Sequence, residues 1–213
     1  YRCDWSSDVC SSDLIQDYVA MILAAGGRAF QDIIVPLYLT PNTTPQMIER
    51  GAKSGLLRAA KYYPPHGTTN SDHGADLVHF INNGVFAAMQ DNGVVLCCHG
   101  EDHGLAGEEF FGRHTNAEES FYRAAALRLV EKLPRLRVVV EHVTTKVAVD
   151  FVRQAGPNVA ASVTPQHLLY TVGNLLQGLK YHLYCMPVVK FEDDVEALRA
   201  AVTASDNDKF FAG

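Results

Sequence analysis

Two rhythms alternate along this chain: apolar residues at the three-to-four spacing of a buried helix face, and short continuous apolar runs bounded by Gly, Pro, Asn or Asp. Helical spacing covers 15–25 and stops at Gly26 and Gly27. The run 32–39 predicts a strand, with Pro36 as an irregularity because it cannot donate to a ladder. Thr44 ahead of Pro45 predicts a capped helix with Met47, Ile48 and Ala52 turned inward. The run 57–62 predicts a buried strand that ends at Lys61. Leu77, Ile81, Val85 and Met89 form one helical stripe that closes at Gly93, and 94–98 is the next buried strand. Asn116 with Glu119 three residues on opens a helix carrying Phe121, Ala125, Leu129 and Leu133. A strand follows at 137–140, then a helix from Thr145 closed by Gly156 and Pro157, then a strand at 158–163. Val195, Leu198 and Val202 mark a last helix, and a strand begins at 209–213.

Strict alternation of short apolar strands with helices predicts a parallel sheet with right-handed crossovers. About six strands emerge where a closed barrel needs about eight. The expected fold class is therefore α/β, an incomplete (β/α)8 TIM barrel, in one domain over 15–213. Residues 1–14 (YRCDWSSDVCSSDL) have neither rhythm and read as an adapter-like, non-native segment.

Composition narrows the partners. With 47% apolar residues in 213, the chain can bury one sizeable core. A formal net charge of −6 offers no basic face, which argues against nucleic acid. No apolar run approaches the roughly 18 residues of a membrane helix, so no membrane partner is expected. The five cysteines contain no CxxC pair, and adjacent Cys97 and Cys98 point to opposite strand faces. Reduced thiols in a cytoplasmic protein are the expectation.

Strand ends carry the candidate chemistry. Lys61 ends one buried strand, His99 the next and His142 the one after, at intervals of 38 and 43 residues. Desolvation at a strand end favours the neutral amine of a lysine, which can take up carbon dioxide as a carbamate with two metal-bridging oxygens. Two neutral imidazoles would complete the protein ligands of one divalent ion, and a water acidified by the ions would serve as nucleophile. Taken singly, Lys61 also reads as a solvated strand-end lysine, and each histidine as a hydrogen-bonded structural residue.

The segments AAKYYPPHGTTNS, CCHGE, VVEHVTTKVAVDFV, VTPQHLLY and YHLYCMPVVK resemble, in order and spacing, the single-chain bacterial and fungal dihydroorotases of the amidohydrolase superfamily. The resemblance runs from about Ile15 to Gly213. It implies reversible closure of N-carbamoyl-L-aspartate to (S)-dihydroorotate in pyrimidine synthesis, at a centre of two zinc ions. By position it makes Lys61 the carboxylated bridging lysine and His99 and His142 the ligands of the second zinc. It makes the loop 64–74 a mobile lid whose Thr68 and Thr69 hold the substrate carboxylate. Met186 stands where the family has a leucine that pairs with substrate through its backbone. His167 and His182 lie in matched segments and are read as structural. A small-molecule substrate is the expected partner, and a homodimer is admitted.

The family's first strand carries a His-x-His pair and an adjacent substrate-binding arginine, and no HxH occurs in this chain. Its general acid/base is an aspartate expected beyond Gly213, so no catalytic residue is assigned within the chain. The expectation is a fragment of dihydroorotase that is inactive or nearly so by itself. A hydantoinase or allantoinase is the alternative within the class, which the Tyr-Pro-x-x-x-Thr-Thr lid and the YHLYC segment disfavour. A catalytically dead scaffold is the alternative outside it.

Overall fold

A computed structural model describes residues 11–67 and 71–213. Six parallel strands form one sheet in chain order: β1 (Leu37–Tyr38), β2 (Ala59–Tyr62), β3 (Val95–His99), β4 (Val138–Glu141), β5 (Val159–Val163) and β6 (Phe210–Ala212). Every neighbouring pair is parallel, and β1 and β6 are the two edges. An α/β sheet of this sequential order is a barrel wall left open, as the strand count predicts. The helix α1 (Ser11–Ala24) begins ahead of Ile15, the expected start, and Gly26 ends it in the left-handed conformation at φ 103°. Residues 1–10 lie outside the described residues.

The capping residues hold as read. Thr44 accepts the Met47 N–H at 3.3 Å to start α2 (Pro45–Lys53), and Thr145 accepts the Ala148 N–H at 3.1 Å to start the helix Lys146–Gln154. Three expectations need correction. The strand over 32–39 shrinks to Leu37–Tyr38, because Pro36 has no N–H to offer β2. The single helix expected from Leu77 to Met89 is two, α3 (Leu77–Asn82) and α4 (Val85–Asn92). Gly84 separates them at φ 84°, a left-handed turn that glycine adopts without strain, and Asn83 Oδ1 accepts the Val85 N–H at 3.0 Å to restart the helix. Lys61 also sits one residue inside the end of β2, since Tyr62 is still paired with Cys98.

Side chains alternate across the sheet, and burial follows. Ala60, Tyr62, Leu96, Cys98, Val138 and Val140 point to the helices and are buried. There they meet Ile48, Phe80, Phe86, Met89, Phe121, Val149 and Val152 in one continuous core. On the opposite, concave face Val95, Cys97 and Val139 are half-buried, and Lys61 and His99 share that face by the same period of two. Short helices at Gly107–Phe111, Pro165–Leu169 and Val172–Leu176 escaped sequence reading, because five residues are too few to show a periodicity. No helix among the described residues is long and apolar enough to cross a membrane.

Glu118, in the first turn of the helix Ala117–Phe121, ties that helix to the segment after β4. Its carboxyl accepts both the Thr144 N–H, at 2.8 Å, and the Thr144 hydroxyl. Complete burial pushes this carboxyl up from 4.5 to about 7, against the opposing pull of Lys190 and Thr144. The folded state therefore holds a proton that the unfolded chain has released between these two values. Stability is fully present below the lower one and falls by about 3 kcal/mol as pH rises through the upper one, at about 1.4 kcal/mol per unit. Glu118→Gln keeps the acceptor and should flatten this slope, measured by urea denaturation at about pH 5 and about pH 7.5. An unaltered slope would show that Glu118 is ionised throughout.

Candidate metal centre

The carboxyl ends of β2, β3 and β4 bring the predicted residues together. Lys61 is buried, its ammonium pairs with Glu141, and the Tyr63 ring lies 4.5 Å from Nζ. Glu141 is in turn the register partner of His99 on the neighbouring strand. Burial pushes the Lys61 amine down to about 8, close enough to neutrality to leave a reactive fraction uncharged.

His142 reaches the same place by breaking the rule that places the others. Glu141 faces the concave side, so continued alternation would turn His142 toward the helices. Instead its backbone is left-handed at φ 44°, an uncommon setting for a residue with a side chain, and its N–H donates to Ser162 Oγ at 2.9 Å. The result is that the His142 and His99 rings meet edge to face, centroids 4.9 Å apart. Burial, with the positive charge of Lys61 and the neighbouring His99, pushes the His142 imidazole down to about 2, so it is neutral at every ordinary pH. Its Nδ1 is buried with no hydrogen-bond partner among the described residues. An uncommitted imidazole nitrogen buried at a strained position is costly unless something else accepts its lone pair. A divalent cation fits that need, and imidazole and carboxylate donors suit such an ion.

Sequence reading missed two members of this cluster, Glu101 and His103. The His99, Glu101 and His103 donor atoms all lie within 4.8 Å of one another. Glu101 is 1% exposed, and its Oε2 lies 2.9 Å from His99 Nε2 and 3.6 Å from His103 Nε2. Burial alone would raise this carboxyl, but the two imidazoles and the Lys190 ammonium outweigh it and hold Glu101 down at about 2. The signal for these residues was present as the spacing His-Gly-Glu-Asp-His in 99–103.

The remaining expectations divide. Met186 lines a cavity of about 530 Å³ together with His66, His103, Phe110 and Phe111, at the same end of the sheet. Thr68 and Thr69 lie outside the described residues. His167 is fully engaged: Nε2 donates to the Pro187 carbonyl at 2.9 Å, and the Thr164 hydroxyl donates to Nδ1 at 2.6 Å, which suits a structural residue. His182 is exposed in the short 3-10 turn Tyr181–Leu183.

A sequentially ordered parallel sheet with lysine, imidazoles and carboxylates gathered at its carboxyl end defines an α/β-barrel protein with its site where such barrels carry theirs. Residues 8–146 match the family described as Amidohydrolase, and the chain belongs to that family. It is similar to the dihydroorotase of Picosynechococcus sp., at 43% identity over 92% of this chain and 55% of that protein. Among solved structures it is similar to the dihydroorotase of Saccharomyces cerevisiae in complex with 5-fluoroorotic acid, with TM-score 0.80 and 28% identity over 95% of this chain and 57% of that one. The Campylobacter jejuni dihydroorotase is similar too, with TM-score 0.76 and 25% identity over 94% of this chain and 56% of that one. The chain thus spans a little over half the length of the relatives it matches.

Proposed function

We propose that this chain carries the lysine–histidine half of a two-zinc dihydroorotase centre, in a cytoplasmic enzyme that interconverts N-carbamoyl-L-aspartate and (S)-dihydroorotate in pyrimidine synthesis. The observation that carries the reading is the buried nitrogen of His142, without a partner among the described residues and set against His99, beside a lysine that burial brings toward neutrality. His99 and His142 would hold one ion, and Lys61, once carboxylated, would add the bridging oxygens. Bound there, zinc supplies Lewis-acid polarisation of the amide carbonyl. The protein's own part is positional. Tyr63 packs on the Lys61 side chain, the left-handed turn fixes His142, and the cavity beside Met186 offers the ring a place next to them. Thr68 and Thr69 are assigned to the substrate carboxylate, and Met186 to a backbone contact with the ring.

The similarity to dihydroorotases near 40% identity supports this substrate class over hydantoins. Titration calorimetry on the zinc-loaded chain tests it. Dihydroorotate is expected to bind at least about tenfold tighter than hydantoin, which is about 1.4 kcal/mol. Equal affinities would end the assignment. With no His-x-His pair in these 213 residues, hydrolysis of dihydroorotate by the chain alone is expected to be undetectable. Turnover at ordinary enzyme rates would show that one metal site suffices.

A further inference from the structure

We propose that Tyr122 is a positioning residue of the metal centre, which sets where His99 stands by bracing the glycine that follows it. This rests on the metal-centre reading above and adds a residue that has no part in it. Gly100 is buried directly after His99, the last residue of β3, and a Cβ added there would stand 2.7 Å from Tyr122 Cζ, too close for any side chain. Gly100 does not have a positive φ, so the close approach of the phenol, and not a turn of the chain, is what demands glycine. Tyr122 has no room to retreat. It is 2% exposed, with Phe121 edge-on to its ring at 5.4 Å and Phe151 tilted against it at 5.2 Å. In an interior packed this closely the strand end rests on a fixed surface.

The same helix braces all three strands that carry the candidate ligands. Phe121 stacks on Tyr62, the residue after Lys61, at 6.4 Å. The Asp102 N–H, three residues after His99, donates to the Ala117 carbonyl at 2.9 Å, and the Ser120 hydroxyl donates to Asp102 Oδ2 at 2.9 Å. Glu118 accepts from the N–H of Thr144, two residues after His142. The helix departs from regular geometry at this place: Tyr122–Ala126 is a π-turn, and Ala126 is buried where the apolar stripe predicts Ala125. Single π-turns are rare and gather at functional sites. Phe121 bears on a side chain, and Glu118 on a residue two positions from a ligand. Tyr122 bears on the backbone next to the ligand, where a shift passes directly to the His99 ring, and a site of this kind tolerates little misplacement.

The test is cobalt(II) titration of the 213-residue chain, read by affinity and by the visible spectrum of the bound ion, with urea denaturation of the same metal-free samples. Tyr122→Phe keeps the ring and should stay within a few-fold of wild type. Tyr122→Leu should weaken cobalt binding by about tenfold or more and alter the spectrum. Phe86→Leu, which truncates a buried aromatic packed on Phe80, should lose stability while keeping the wild-type affinity and spectrum. Gly100→Ala should also weaken binding by about tenfold, because the added methyl displaces the strand end. Joining it to Tyr122→Leu should recover most of that loss, since the methyl then fills space the phenol has left. Tyr122→Leu with wild-type affinity, a loss matched by Phe86→Leu, or losses that simply add in the double variant would each overturn the proposal. If Tyr122→Leu does not fold, Gly100→Ala with and without Tyr122→Phe decides it. The hydroxyl is the atom the methyl would meet first, so recovery is expected and its absence overturns the proposal. A wild-type chain with no cobalt affinity would instead refute the metal centre itself, whereas a metal-binding wild type matched by Tyr122→Leu removes only the role of Tyr122.

Discussion

Replacing His142 with glycine should abolish divalent-metal binding while leaving the metal-free chain as stable as the parent, or more so. These opposite effects follow from the same atoms. The imidazole has a buried Nδ1 without a partner among the described residues, and an unmet polar group of that kind costs about 1–3 kcal/mol. The backbone beneath it is left-handed at φ 44°, a conformation that costs a side-chain-bearing residue about 1 kcal/mol or more and glycine almost nothing. Removing the ring thus relieves two penalties and loses the edge-to-face contact with His99. Metal affinity should fall by more than the about 10- to 100-fold that losing an outer-sphere partner costs, since the group lost would touch the ion. Zinc titration and urea denaturation of the same sample check both halves. A variant that is clearly less stable and binds zinc normally would make His142 a packing residue.

The largest stability effect is expected from Phe80→Ala. Phe80 is fully buried, packs edge-on against Tyr62 at 6.2 Å and tilted against Phe86 at 5.5 Å. Truncating a buried aromatic leaves a cavity that its neighbours refill incompletely, at about 3–5 kcal/mol. Against a typical total of about 5–15 kcal/mol, the urea midpoint should drop by about a fifth or more. The loss also reaches the site, because Tyr62 is the residue after Lys61 in β2 and its ring is part of what holds that strand end down. A shift of less than about 1 kcal/mol would mean that this core repacks freely.

Much of this was legible in the chain. The apolar runs marked every strand, because a sheet buried by helices needs continuous apolar residues and loops need Gly, Pro and Asn. Thr44, Asn116 and Thr145 announced their helices because a cap satisfies its own backbone within three residues, a distance that sequence spans directly. Where the reading failed, the deciding contact was not local. The stripe Leu77, Ile81, Val85 and Met89 read as one helix, but Gly84 turns left-handed between its halves and Asn83 caps the second. Glu101 carried no role in the sequence reading, and it is buried against the His99 and His103 imidazoles, with Lys190, distant in sequence, adding positive charge.

What the sequence alone determined is therefore the order of strands and helices, and that Lys61 and His99 share one face, since both follow from periods of two and 3.6 that side-chain polarity records. Only the folded chain decided that His142 joins them. Nothing in the residue type marks a left-handed turn there, and it is the bond from its N–H to Ser162 on the neighbouring strand that accompanies the turn. Periodicity is a property of neighbours along the chain, whereas the meeting of two imidazoles depends on register between strands and on the sign of one dihedral angle.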